Sequence, residues 1–304
     1  MGVRMNLVNR LMVSVLQLFP KGLVKPFAMR YIAGETLEDA GGVVRDLNSK
    51  RMMATVDVLG ENVSTKEESL KAVRTSEEVL HTIHRSHLDA NLSIKLTQFG
   101  LRIDREFCYS NVKHMAEIAG SYGNFVRIDM EDSSTTEATL ELYETLRSDG
   151  FENVGVVIQA SLRRSEEDVK RLCGRQANVR LCKGAYIEPE TIAFKENGEI
   201  RQNYLKLLEL LLGGKCYTGI ATHDDFLVHG ACRTVEAFNL QKSDYEFQML
   251  YGVRMKLRDQ VVADGHRMRI YVPFGQEWHA YSMRRFEENP QIVRYVLRAL
   301  FSRS

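Results

Sequence analysis

Adjacent arginines Arg284 and Arg285, with Glu288 after them, lie in the stretch Arg269–Pro290. That stretch begins as a short apolar strand, breaks at Pro273 and Gly275, and then turns helical. Neighbouring guanidiniums repel each other, so a pair on an inward face needs an anion to share, and guanidinium matches carboxylate or phosphate bidentately. Two solvated arginines on an outer face are the plain alternative. A second candidate is Lys95, inside the strand-like run Leu92-Ser-Ile-Lys-Leu96. A lysine turned inward from such a run must find a carboxylate. Asp129, on the following strand, is the natural partner; the alternative puts Lys95 outside, under a helix. In Lys183-Gly184-Ala185-Tyr186 the glycine permits close backbone approach and the lysine offers a point charge for phosphate. Thr222-His223-Asp224-Asp225 invites a metal, but no second histidine stands at ligand spacing, so no metal is expected. His223 then reads as a hydrogen-bonding or stacking residue.

The elements that must position these groups repeat from residue 54 onward. Strand-like runs occur at Ala54–Val58, Leu92–Leu96, Phe125–Asp129, Val154–Gln159, Val179–Lys183, Tyr217–Thr222, Tyr245–Met249 and Arg269–Val272. Helical stretches separate them, at Ser64–His87, 104–121, Thr135–Ser148, Glu166–Leu172, within 189–213, at Phe226–Phe238 and around 254–264. Strands alternating with helices predict a parallel sheet, and eight such units close into a barrel. A doubly wound open sheet is the alternative, but Val58-Leu-Gly-Glu-Asn-Val63 lacks its glycine-rich fingerprint. Chemistry in a barrel sits at the carboxyl ends of its strands. Those ends carry Glu61, Lys95, Asp129 with Glu131, Gln159, Arg180 with Lys183, Thr222 with His223, Gln248 and Tyr271.

The 304 residues suit one barrel plus a short appendage, and 44% hydrophobic content supports a large core. A net charge of +1, from 41 basic and 40 acidic residues, argues against nucleic acid as the main partner. The five cysteines form no Cys-x-x-Cys, which points to a reducing cytoplasm and away from zinc or disulfide frameworks. The apolar run Leu11–Phe19 is shorter than the ~20 residues a membrane span needs. Residues 1–33 read either as two short helices packed on the domain or as an amphipathic segment touching the inner face of the cell membrane. The expected organisation is a helical segment over 1–45 and a barrel with a C-terminal helix over 46–304.

Nine ordered pieces resemble the proline dehydrogenase family. They are Asp57–Glu61, Ile94–Gly100, Arg127–Glu131, Val157–Ala160, Arg180–Tyr186, Ala221–His223, Glu246–Leu250, Ile270–Gly275 and Tyr281–Asn289. The length is similar to that of the monofunctional bacterial form. The resemblance implies a distorted (β/α)8 TIM barrel with an N-terminal helical extension, holding FAD without a Rossmann fold. It implies oxidation of L-proline to Δ1-pyrroline-5-carboxylate by hydride transfer to flavin N5, with electrons passed to ubiquinone or menaquinone in the membrane. Arg284 and Arg285 would clamp the proline carboxylate, kept in place by Glu288. Lys95 would face the substrate, oriented by Asp129, and Arg180 would sit by the flavin N5 region. Met130, Gln159, Lys183, Gly184, Ala185, Thr222 and His223 would bind FAD. Tyr271, Leu181 and Tyr281 would shape an apolar wall, and Glu61 would gate the site by pairing with an arginine.

Three departures from the family pattern stand out: Ile187 where an aromatic usually follows Tyr186, Asp224 where asparagine usually follows His223, and Trp278-His279 in the loop over the site. Two other functions remain open on the residues alone. A Schiff-base aldolase would use Lys95 or Lys183 as nucleophile and Arg284 for a phosphate. A barrel without catalysis would serve as an anion-binding scaffold.

Overall fold

A computed structural model describes residues 21–60, 62–279 and 281–283. Eight parallel strands close into a barrel in sequence order. They are β1 (Met53–Val58), β2 (Ala90–Ile94), β3 (Val126–Ile128), β4 (Val154–Gln159), β5 (Asn178–Cys182), β6 (Tyr217–Ala221), β7 (Tyr245–Leu250) and β8 (Met268–Phe274). The helices are α1 (Lys21–Ala28), α2 (Leu37–Ser49), α3 (Lys66–Arg85), α4 (Arg105–Ser121), α5 (Thr136–Ser148), α6 (Ser165–Cys173), α7 (Asn197–Gly213), α8 (Asp225–Ala237) and α9 (Met255–Ala263). The barrel expected from the sequence is the one that forms, and the strand limits shift by a residue or two. Helix starts follow local chemistry: Thr65 and Glu68 make a reciprocal capping box at α3, and Asp104 accepts from Glu106 and Phe107 at α4.

Pro273 does not end the last strand as the sequence suggested. Pairing of β8 with β7 stops at Tyr271, while pairing with β1 continues to Phe274. The missing N–H of Pro273 therefore faces the side that β7 has already left, and its carbonyl accepts from Ala33 N at 2.9 Å.

The strands alternate. One set of positions, including Val56, Leu92, Ile128, Val156, Leu181, Phe247 and Ile270, is buried apolar surface and faces the helices. The other set faces the lumen and is largely polar: Thr55 and Asp57, Asn91 and Ser93, Arg127, Arg180, Glu246 and Gln248, Arg269 and Tyr271. Barrel interiors are more often filled with branched apolar side chains, so this lumen is an unusual concentration of buried charge. Gly219 on β6 makes room within it, since a Cβ there would lie 2.4 Å from the Gln248 amide nitrogen. Helix α2 runs through residue 45 and packs against β1 and β8. Helix α1 joins a separate apolar cluster, in which Val24, Ala28, Tyr31 and Ile32 meet Leu59, Trp278, Tyr281 and Met283. Among the described residues no helix is long and apolar enough to cross a membrane.

Candidate active site

The upper layer of the lumen, at the carboxyl ends of the strands, brings together side chains from five strands. Asp57 comes from β1, Ser93 and the following Lys95 from β2, Asp129 from the residue after β3, Arg180 from β5 and Tyr271 from β8. Lys95 Nζ lies 2.6 Å from Asp57 Oδ1 and 3.9 Å from Asp129 Oδ2. Its ammonium meets two carboxylates of the lumen, which rules out a place under a helix. The nearest carboxylate is thus Asp57, not the Asp129 that the sequence suggested. Asp129 is occupied elsewhere: it accepts from Ser93 Oγ at 2.6 Å, from Arg180 Nη1 at 2.6 Å and from the Tyr271 hydroxyl at 2.7 Å. The Arg180 guanidinium also lies 5.1 Å from the Tyr271 ring centroid. Its Nε donates to Gln248 Oε1 at 2.6 Å, while its Nη2 is buried with no partner among the described residues.

The two carboxyls titrate in opposite directions. Burial pushes Asp57 up, against the pull of Lys95. Burial works on Asp129 too, but Arg180, then Lys95 and the hydroxyls of Ser93 and Tyr271, hold it below the usual carboxylate range. Burial favours a neutral Lys95, yet the Asp57 and Asp129 charges reverse this and keep the ammonium above its ordinary pKa. Tyr271 is raised by burial and by Asp129, so it stays a neutral hydroxyl donor. The layer therefore offers a fixed ammonium, a guanidinium with a spare donor and a phenol, which together suit a small anion.

The rim carries the residues that the sequence assigned to a cofactor. Gln159 Nε2 donates to the Glu131 carbonyl at 2.7 Å, and the Glu131 carboxylate accepts from Thr97 N at 3.0 Å, fastening the loop after β2. Gly184 has φ +107°, and a Cβ there would meet Ser161 Oγ at 2.3 Å, so the close approach it permits is to a neighbouring loop. Lys183 pairs with Asp224, which also takes both Arg201 Nε and Nη2 at 2.8 Å. Those cations hold Asp224 well below the ordinary range although burial opposes them. Thr222 Oγ1 accepts from Asp224 N at 3.2 Å, and His223 Nε2 accepts from Leu250 N at 2.8 Å, which ties the ends of β6 and β7 together. Met130 is buried, Ala185 is exposed and Ile187 is 73% exposed.

One expected wall residue is placed away from the upper layer. Leu181 follows the lumen-facing Arg180, so alternation sends it to the helix side, where it is fully buried. It does not line the lumen. Tyr281 belongs to the apolar cluster against α1. Arg284, Arg285, Glu288 and Glu61 lie outside the described residues. Asp57 and Gln248 are the groups the sequence reading left without a role. A lone carboxylate in the apolar run Ala54–Val58 is the same signal that marked Lys95.

The family model for proline dehydrogenase matches residues 41–297. Proline dehydrogenase 1 of Bacillus subtilis subsp. natto is 36% identical over 276 residues, covering 91% of both chains. Proline dehydrogenase of Deinococcus radiodurans is 34% identical over 277 residues, covering 90% of this chain and 89% of that protein. Among solved structures, proline utilization A (PutA) from Bdellovibrio bacteriovorus, inactivated by N-propargylglycine, superposes with a TM-score of 0.82 at 27% identity. That likeness covers 88% of this chain, which spans only 33% of the longer PutA chain. A closed eight-stranded barrel with this ordered polar lumen and these matches leads to one assignment: the chain belongs to the proline dehydrogenase family, enzymes that oxidise proline in its catabolism.

Proposed function

We propose that the chain oxidises L-proline to Δ1-pyrroline-5-carboxylate with FAD as the hydride acceptor, and that electrons pass on to ubiquinone or menaquinone at the membrane. The observation that carries this reading is the upper lumen layer, where Lys95, Arg180 and Tyr271 converge from separate strands around two buried carboxylates. Arg180 tests the fit to a flavin. Its buried Nη2 has no acceptor among the described residues, and a buried unsatisfied donor is costly unless a ligand supplies the acceptor. Gln159, Lys183, Gly184, Ala185, Met130, Thr222 and His223 form the adjoining rim and would hold the rest of the cofactor. When bound, the flavin supplies a two-electron acceptor for the hydride from proline C5.

The chain's own groups do the remainder. Lys95, kept charged by Asp57, and the arginines at 284 and 285 would bind the proline carboxylate, with Glu288 steadying the pair and Glu61 acting as the gate. Fixing the carboxylate fixes the distance from C5 to its acceptor, and such positioning supplies much of a barrier reduction. The same cations disfavour the proline ammonium, so the substrate nitrogen loses its proton and its lone pair becomes available. Asp129 anchors Arg180 and Tyr271, which would then face the substrate and the cofactor. A Schiff-base route is disfavoured, since a lysine nucleophile must be neutral while Asp57 keeps Lys95 protonated and Asp224 pairs Lys183.

The direct test is anaerobic addition of L-proline to the purified protein. The expected result is a flavin spectrum that bleaches, with Δ1-pyrroline-5-carboxylate released; a colourless protein unable to take up FAD would overturn the reading. N-propargylglycine, which inactivates the Bdellovibrio relative, has the carboxylate and secondary amine of proline, and is expected to inactivate this chain too.

A further inference from the structure

Among the described residues, Asp57 makes its short hydrogen bond to Lys95, and the Tyr271 hydroxyl also lies against its carboxyl. The two groups leave neighbouring strands, β1 and β2, with Asp57 in register beside Ser93. The Lys95–Asp57 separation of 2.6 Å is that of a charge-assisted hydrogen bond, whereas the 3.9 Å to Asp129 is beyond one. The Asp57 side chain is 2% exposed, so water does not compete for it. Asp129 meanwhile accepts three hydrogen bonds from Ser93, Arg180 and Tyr271. The upper layer thus gives the lysine one carboxylate and the guanidinium the other, with the Tyr271 phenol between them.

The geometry points to Asp57 as the positioning residue of this active site, the group that aims Lys95 at the substrate carboxylate and holds it charged. This deepens the reading above and rests on it. Asp57 does not touch substrate in this account; it acts through Lys95. Among the described residues, the charged and titratable groups facing Lys95 are Asp57 on β1, Asp129 after β3 and Glu131 beyond it, with Arg180 of β5 acting on Asp129 and Tyr271 of β8 on both aspartates. Removing the nearest of the three negative charges brings the lysine's titration down toward working pH.

The test is a double-mutant cycle in the holoenzyme with Asp57→Asn, Lys95→Met and both together. Asp57→Asn is expected to lower kcat/KM for L-proline about 10- to 100-fold, mainly through KM, at unchanged flavin content. The alkaline limb of its kcat/KM profile is expected to move to lower pH. In the Lys95→Met background the same change is expected to alter kcat/KM less than about twofold, because the group it acts through is gone. An equal loss in both backgrounds, or an unmoved alkaline limb, would overturn the proposal. If Asp57→Asn folds poorly, thermal melts decide. Removing both ends of a buried ion pair strands no charge, so the double variant is expected to melt above Asp57→Asn; a double variant no more stable than the single one would overturn the pairing. The melts need neither proline nor flavin turnover, so they test the Asp57–Lys95 unit even if the proposed reaction fails.

Discussion

Two charged layers lie one above the other inside the same barrel, and they differ in how their cations are used. In the lower layer, Arg269 donates Nε to Glu246 Oε1 at 2.7 Å, Nη2 to Glu246 Oε2 at 3.0 Å and Nη1 to the Ala54 carbonyl at 2.8 Å. Beside it, Arg127 Nη1 meets the carbonyls of Val156 and Asn178 at 3.0 and 2.8 Å. The terminal nitrogens of these guanidiniums are committed to neighbouring strands, while Arg127 Nε is buried without a partner among the described residues. Among the described residues of the upper layer, Arg180 keeps Nη2 unpartnered and Lys95 makes its short contact to Asp57. Gln248 links the two, accepting from Arg180 and donating to Glu246 Oε1 at 2.6 Å. Buried charge thus has two uses here: below, its forked contacts tie neighbouring strands together, and above, a ligand can complete it.

That contrast is breakable by mutation. The largest stability loss is expected from Glu246→Gln, which strands the Arg269 guanidinium in the lumen; breaking a buried pair costs about 3–5 kcal/mol, read as a lower thermal midpoint. Protein that does fold should bind proline normally, and a pure activity loss without destabilisation would erase the distinction between the layers. Arg180→Lys is expected to do the reverse. It gives up the forked contacts to Asp129 and Gln248 and costs roughly 1.5–3 kcal/mol in kcat/KM for L-proline, with a smaller change in melting.

A smaller effect sharpens the comparison through pH. Arg269 holds Glu246, and Arg180 with Lys95 holds Asp129, below the usual carboxylate range although burial opposes both. A carboxyl whose folded pKa is depressed stabilises the fold above its unfolded value, and that contribution fades as pH falls through the folded value. The thermal midpoint is therefore expected to drop on acidification below about pH 4, and to drop less in Glu246→Gln. Asp57 runs the other way: burial raises it, so its contribution fades as pH rises.

The fold was legible because the strands are short, largely apolar runs separated by helical stretches with capping residues such as Thr65 and Asp104. Pro273 misled because proline breaks most strands; only the early end of β7 shows why β8 tolerates it. Lys95 was legible as an inward charge, but its partner was not. The choice between Asp57 and Asp129 depends on the stagger of strands around the barrel, which no single strand encodes. Leu181 could have been placed correctly from the sequence, since an inward Arg180 sends its neighbour outward. The packing of Tyr281 against α1 could not, because it is a contact between chain segments far apart.

The central claim is that the upper layer grips proline through Lys95. Rapid anaerobic mixing of Lys95→Met holoenzyme with L-proline tests it most directly, following flavin absorbance beside the wild type. Retained flavin with reduction slowed at least about tenfold, the loss expected for a charged hydrogen bond to substrate, is the predicted result. Reduction at the wild-type rate, at wild-type proline concentrations, would contradict it.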